Sequence, residues 1–437
     1  MGSYVPGTKQ EQLAMLQTMG LNSMDDLYVD VPEDLRLKDG LNLPAGKSEL
    51  EVRRSVTRLA EANKVYDSIF RGAGAYRHYI PSMVRCVIEK ESLVTAYTPY
   101  QAEISQGILQ SIFEYQTMIC ELTGMDVSNA SVYDGATAAA EAIAMCVDRK
   151  RKVAVVSAAV NPAVMATIRT YAFGSGTEIV VAPEKDGVTD VEALKDILDK
   201  QSACLLIQSP NYYGNLEDAQ TLCDMAHDAG AKFVMSVNPI SMGILKTPGE
   251  YGADIAVGDG QPLGLPIAYG GPYIGFMAAT QAMMRKLPGR IVGQTVDANG
   301  DTAYVLTLQA REQHIRREKA SSNICSNQAM CALTVGVYLS SMGATGLAEA
   351  ARQSAAKAHY LASRLSEAGL KVTNSVEYFN EFVTESDKSS ASILKALDEN
   401  DILGGLPLDD HRILWCCTEM NSKEEMDAVA AIIKEVQ

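Results

Sequence analysis

The feature that most limits what this chain can fold into is an alternation in its middle. Short continuous apolar runs (KVAVVSAAV, TEIVVAP, ACLLIQSP, KFVMSVN, ADIAVGDG) are separated by helical stretches (NPAVMATIRTYAFGSG, VEALKDILDK, LEDAQTLCDMAHDAG). A strand that is apolar at every residue, not at alternate ones, is buried on both faces, and parallel strands need a helical crossover to bring the chain back. The pattern predicts a large doubly wound α/β domain over residues 65–326. Before it, residues 1–64 read as a helical arm without a core of its own. Leu13, Met15, Leu16 and Met19 fall near helical spacing up to Gly20, and SELEVRRSVTRLAEANK has Ser48 as N-cap with Glu51 in the capping-box position. After it, an Ala-rich run from Asn327 to Gly369 predicts a long helix. Strands KVTNS, YFNEFVTES and RILWCCTE with helices SASILKALDEN and KEEMDAVAAIIKEV complete a smaller α+β domain, so residues 327–437 form the third part.

Composition removes several function classes. Of 437 residues, 38 are Lys or Arg and 54 Asp or Glu, a net charge of −16. Such an acidic chain is a poor match for nucleic acid, whose phosphates require a basic face, and for anionic lipid. No run of about 18 apolar residues predicts a membrane-crossing helix. The start, MGSYVPGTKQEQLAMLQTMG, has no basic segment followed by an apolar one, and Pro6 stands where myristoylation wants Ser or Thr. The nine Cys are odd in number and none has CxxC spacing, so they read as small buried hydrophobes in a reducing cytoplasm. No two of the five His lie four apart, so no helical metal pair is predicted.

Four segments carry candidate chemistry, each with a plainer reading beside it. In VYDGATAAAEA a strand turns at Gly135 into a helix. Gly135, Ala136 and Thr137 would stand at the mouth of a phosphate cradle, although any doubly wound fold has such junctions. In TAYTPYQAEISQG, Tyr97, Tyr100, Gln101 and Glu103 could line a substrate site or form an exposed loop before a helix. The Gly- and Pro-dense DGQPLGLPIAYGGPYIGF could let a backbone approach a ligand, or only make an irregular connection. In REQHIRREKASSNIC, Arg311, Arg316, Arg317 and Lys319 form an anion-binding cluster or a solvated face. Vicinal Cys416-Cys417 and His78 read as structural. No Ser/His/Asp order or Walker loop is present.

Taken together, FRGAGAYRHYIPSMV, TAYTPYQAEISQGILQSIFEYQTMICELTGMDVSNASVYDGATAAAEA, LPGRIVGQTVDANGDTAYVLTLQAREQHIRREKASSNICSNQA and YFNEF resemble glycine dehydrogenase (decarboxylating), the P-protein family of the glycine cleavage system. The resemblance covers nearly the whole chain. The length resembles the first subunit, α, of the form in which P-protein is split into two polypeptides. The resemblance implies an aspartate-aminotransferase-like fold (the fold type I of pyridoxal phosphate enzymes) with a large domain and a smaller C-terminal one. It implies pyridoxal phosphate chemistry that decarboxylates glycine and passes the aminomethyl group to the lipoyl arm of H-protein.

That chemistry requires a lysine to hold the cofactor. In cofactor-carrying relatives a His-Lys pair precedes the Gly-rich loop; here Gln261-Pro262 stand in its place, and proline has no amine to offer. Asn238 ends the strand KFVMSVN where a carboxylate would hold the cofactor's ring nitrogen, and Asn161 stands where relatives often carry a His over the ring. Lys232, Lys246 and Lys286 are nearby but out of context. The resemblance therefore implies a non-catalytic half. The lysine and the covalently held cofactor belong to subunit 2, in an obligate heteromer with two copies of each subunit, and this chain holds none covalently. Tyr97, Tyr100, Gln101 and Glu103 are then expected to line the partner's site near glycine or the lipoyl arm. Gly270, Gly271, Ser322 and Asn323 are expected near the partner's phosphate, and Gly135, Ala136 and Thr137 become a relic cradle. Two other readings stay open: a self-sufficient pyridoxal phosphate aminotransferase or lyase using Lys246, and a purely structural partner of subunit 2.

Overall fold

The computed structural model describes residues 7–37, 40–94, 98–307 and 313–436. The chain divides into two compact units, residues 1–65 and 66–437.

The first unit is helical. Thr8 and Ser48 accept hydrogen bonds from the amides of Glu11 and Glu51, and each glutamate reaches back to its cap, so both predicted starts are closed capping boxes. The helices run Lys9–Thr18 and Glu49–Glu61, and Leu16 is the one large apolar residue buried among the described residues of this unit.

The second unit is built on a seven-stranded sheet. In spatial order its strands are Val127–Ser128, Gly275–Ala279, Ile255–Asp259, Lys232–Ser236, Ser202–Gln208, Val153–Ser157 and Glu178–Ala182. Gly275–Ala279 runs antiparallel to both neighbours; the other pairings are parallel. Alternate residues of each central strand enter different cores. Val155, Leu205, Ile207, Phe233 and Met235 pack on one side, and Ala154, Val156, Cys204, Leu206 and Val234 on the other. This two-faced burial is why those strands carry no polar alternation.

A four-stranded antiparallel sheet follows, ordered Lys371–Val372, Glu381–Glu385, Arg412–Cys416 and Leu406–Pro407. Its core holds Trp415, whose Nε1–H donates to Thr384 Oγ1 at 2.7 Å. The helical run Ala329–Glu367 serves both layers. Its early residues, such as Val335 and Tyr338, join a core of the large sheet; Ala358, Leu361 and Leu365 join that of the small one, and Gly343 interrupts the helix at φ 60°. An 18-residue window of this run has a mean hydropathy of 1.3, so among the described residues one helix is long and apolar enough to cross a membrane by length and composition. That corrects the expectation of none; the small residues in the run hid it, and its buried side belongs to the protein's own core.

Two pairings were invisible to periodicity. Ser68–Ile69 pairs in parallel with Ile402–Leu403 and Phe70 joins the small sheet's core, so the start of the expected large domain packs on the C-terminal layer. Ile291–Val296 and Thr302–Thr307 form an antiparallel ribbon around the turn Asp297–Asp301.

Candidate functional site

The carboxyl ends of the parallel strands open into a cavity of about 570 Å³. Gln208, Ser236 and Asp259, each the last residue of its strand, lie on its floor. Gly72–Tyr76 and Glu381 close it from the side of the small sheet, and Gly270 and Tyr273 from the Gly-rich loop. In an open α/β sheet this edge is where ligands bind.

The helix Gly135–Cys146 points its first turn into the cavity. Gly135 must be glycine, since a Cβ there would fall 2.7 Å from the amide nitrogen of Asp259. This close approach lets the Gly135 N–H donate to Asp259 Oδ2 at 3.0 Å. Asp134 is the N-cap and accepts from the Thr137 amide at 2.7 Å. The cradle expected at Gly135, Ala136 and Thr137 is thus filled from within: two carboxylates already stand where an anion would meet the helix dipole. Burial raises the Asp259 pKa to about 6, with Asp134 adding to it, while the amides of Gly135 and Gln261 pull the other way.

Gln261 and Pro262, which the sequence reading set against the His-Lys pair of cofactor-carrying relatives, are buried. The Gln261 side-chain amide accepts from the Tyr76 N–H at 2.8 Å and donates to the carbonyls of Tyr76 and Leu265 at 2.9 and 2.8 Å, so it ties the wall of the cavity in place. Asn161 donates to the Ala73 carbonyl at 3.0 Å and caps the helix Pro162–Ser175 through the Ala163 amide. Asn238 lines the cavity and accepts from the Ile240 amide at 3.0 Å.

Glu381 is a wall residue that the sequence reading left unassigned. It is buried, Oε1 accepts from the Ala73 amide at 2.6 Å, and Oε2 accepts from the Tyr76 hydroxyl at 2.8 Å. Burial pushes its pKa up to about 7 against those two hydrogen bonds. The signal was a charged residue inside the apolar run of YFNEF.

Among the described residues, the cavity lining holds no Lys, Arg or His. Lys246 Nζ donates to Gln220 Oε1 at 3.1 Å and sits 4.3 Å from the Tyr251 ring centroid. Lys232 opens its strand at the opposite edge and pairs with Asp254 at 2.6 Å, and Lys286 donates to the Met145 carbonyl at 2.9 Å. The residues present do not fit pyridoxal phosphate. Among the described residues no amine lines the cavity, its polar lining at Asn238 is a neutral amide, and the carboxylates of Asp134 and Asp259 occupy the start of the helix Gly135–Cys146.

The other expected residues fall into separate groups. Tyr97 and Arg311 lie outside the described residues. Tyr100 accepts from Arg290 Nη2 at 2.6 Å, with the guanidinium 4.1 Å from its ring centroid, yet remains 47% exposed. Gln101, which precedes the short turn Ala102–Ile104, and Glu103 within it are exposed. Gly270 and Gly271 belong to the exposed loop of the carboxyl-edge cavity, where Tyr273 Oη donates to the Ile267 carbonyl at 2.7 Å. Ser322 and Asn323 border a second cavity of about 500 Å³, where Ser322 donates to buried Glu141 at 2.8 Å. Arg316, Arg317 and Lys319 are exposed.

The fold has solved counterparts. An apo cysteine desulfurase from Thermococcus onnurineus superposes with a TM-score of 0.64 at 14% identity, over 90% of this chain and 99% of that one. An alanine–glyoxylate aminotransferase from Nostoc sp. gives 0.60 at 15% identity, over 92% and 100%. These likenesses and the sheet order define the class: an aspartate-aminotransferase-like α/β protein, the scaffold of fold type I pyridoxal phosphate enzymes. Within that class the chain belongs to the glycine cleavage system P-protein family, whose model matches residues 2–433. A crystal structure of glycine decarboxylase (P-protein) of the glycine cleavage system, in inhibitor-bound form, superposes with a TM-score of 0.93 at 40% identity over 100% of both chains. Relatives named probable glycine dehydrogenase (decarboxylating) subunit 1 are 48% identical in Lysinibacillus sphaericus (98% of each chain) and 48% in Moorella thermoacetica (99% of each).

Proposed function

We infer that this chain is subunit 1 of glycine dehydrogenase (decarboxylating), an oxidoreductase component of the glycine cleavage system, and that it carries no covalent cofactor. The observation that carries this is the lining of the carboxyl-edge cavity: Pro262 and Asn238 stand where we place the lysine and the carboxylate of cofactor-carrying relatives, and the Gly135 amide is already bonded to Asp259. The enzyme uses pyridoxal phosphate, and subunit 2 supplies the anchoring lysine. Together the two decarboxylate glycine and transfer the aminomethyl group to the lipoyl arm of H-protein. The residues we assign to the wall of the partner's site are Tyr97, Tyr100, Gln101 and Glu103, with Gly270, Gly271, Ser322 and Asn323 near its phosphate. Arg290 supports the assignment of Tyr100, because it fixes the hydroxyl and stacks on the ring of a side chain that remains 47% exposed. We assign the chain to the cytoplasm, supported by nine free cysteines, and retain the division of residues 66–437 at 326, supported by two sheets with separate cores.

The decisive experiment mixes the isolated chain with pyridoxal phosphate and glycine. We expect no visible absorbance band, no borohydride-fixed adduct and no release of carbon dioxide until subunit 2 is added. A coloured, active isolated chain overturns the reading in favour of a self-sufficient enzyme, against which stands the placement of Lys246 outside the cavity lining. Tyr100→Phe and Glu103→Gln then separate site participation from scaffolding. In the reconstituted complex we expect a rate at least about tenfold lower with assembly unchanged; full activity of subunit 2 without this chain identifies a structural role.

A further inference from the structure

We propose that the second cavity, bordered by the helices Gly135–Cys146 and Pro162–Ser175 and by residues 313–323, is a binding site for a small organic ammonium ligand, whose ammonium group is taken by the carboxylate of Glu141. The site needs no residue of subunit 2, so it stands apart from the reading above. Glu141 is only 2% exposed, yet it borders this cavity of about 500 Å³. Its Oε1 accepts from the Ser322 hydroxyl at 2.8 Å, and among the described residues this is the single hydrogen bond of the carboxyl group. Ser322 is fully used, since its oxygen also accepts from the Ile324 amide at 3.0 Å. No ion pair reaches Glu141 among the described residues, so Oε2 stands unpartnered at the cavity wall. A buried carboxylate with one bond of the several it can accept is unfavourable until a donor or a positive charge meets it. Burial has already pushed its pKa up to about 7 against the pull of Ser322.

The surroundings select the sign and the kind of ligand. The helix Pro162–Ser175 ends at the cavity: Ala172, Gly174 and Ser175 of its last turn border it, and that turn carries no basic residue. The negative end of the helix dipole and the Glu141 carboxylate therefore favour the same charge, a positive one. The half-buried Tyr171 also borders the cavity, its hydroxyl loosely held 3.5 Å from Asn323 Oδ1, and a tyrosine ring attracts an organic cation. Ile143 and Ile168 give apolar wall for a hydrocarbon body. A metal ion fits poorly. No three His, Cys, Asp or Glu side chains meet among the described residues, and one carboxylate falls far short of the oxygen shell of a hard cation. The volume is that of small-molecule sites. Arg317, exposed at the rim, offers a counter-charge to a ligand that carries a carboxylate as well. An amine and an amino acid are thus two sources of the same ammonium group.

The test is calorimetric titration of the isolated full chain with propylammonium chloride and, separately, with glycine, at about pH 8, where a carboxyl group of pKa about 7 is ionised. We expect saturable one-to-one binding of at least one probe with a dissociation constant in the millimolar range. Glu141→Gln keeps the size of the side chain and the acceptor for Ser322 but removes the charge, and we expect it to weaken binding at least about tenfold. Ala144→Phe, at an exposed position on the cavity's edge, fills the space without altering that charge and is expected to block binding as well. Melting midpoints show whether each variant is folded, and the Ala144 variant decides alone if the Glu141 variant is not. Whichever probe binds with this dependence identifies the source, an amine or an amino acid. No saturable binding of either probe, or binding that both folded variants retain, overturns the proposal. Either result is reached without subunit 2 and leaves the two-subunit reading where it stands.

Discussion

At the scale of single residues, the chemistry of the cavity is set by two carboxyl groups. Glu381 has a folded pKa of about 7 against a usual 4.5, so its neutral form is favoured on folding. The stability this brings is complete below about pH 4.5 and is lost as pH rises through about 7. For a fully buried group the loss is on the order of 3 kcal/mol. We expect the wild-type melting midpoint, followed by fluorescence of the single Trp415, to fall across that window relative to Glu381→Gln, whose neutral side chain does not titrate. Asp259 accepts from the amides of both Gly135 and Gln261. Replacing it by Ala leaves both donors without an acceptor, and we expect a loss of about 2 kcal/mol in urea unfolding.

At the scale of elements, the helix Gly135–Cys146 is held at its start by Asp134, and Asp134→Ala is expected to cost about 1 kcal/mol in the same assay. The contact between the two layers is less forgiving. Gly214 has φ 83°, and a Cβ there would lie 1.9 Å from the carbonyl oxygen of Glu381. Gly214→Ala therefore strains the backbone and pushes the turn off the small sheet. We expect a loss of more than about 3 kcal/mol, read as early unfolding of the layer that contains Trp415. The helices and long strands were legible because their faces repeat along the sequence. The pairing of Ser68–Ile69 with Ile402–Leu403 was not, since two residues have no period.

At the scale of the whole molecule, the acidic charge says little about partners, because the feature behind the two-subunit reading is local: a cavity whose described lining holds no Lys, Arg or His. A chain that binds subunit 2 only when folded is stabilised by mass action. We expect its melting midpoint to rise with the concentration of added subunit 2, by an amount that grows logarithmically once the partner is in excess, as differential scanning calorimetry would record.

The alternation of apolar runs and helices determined the layered α/β architecture, because which faces are buried is written locally, at every second or every fourth residue. The family was equally legible in long strings such as VYDGATAAAEA. Only the tertiary structure decided how the polar groups of the cavity are paired. Asp259 meets the Gly135 amide across 124 positions and Glu381 meets the Tyr76 hydroxyl across 305, and no local pattern records either encounter. A carboxylate's partner, and hence its charge, depends on which distant backbone the packing brings within three ångströms; that is why candidate residues could be named from the sequence while the acidic interior of the cavity could not.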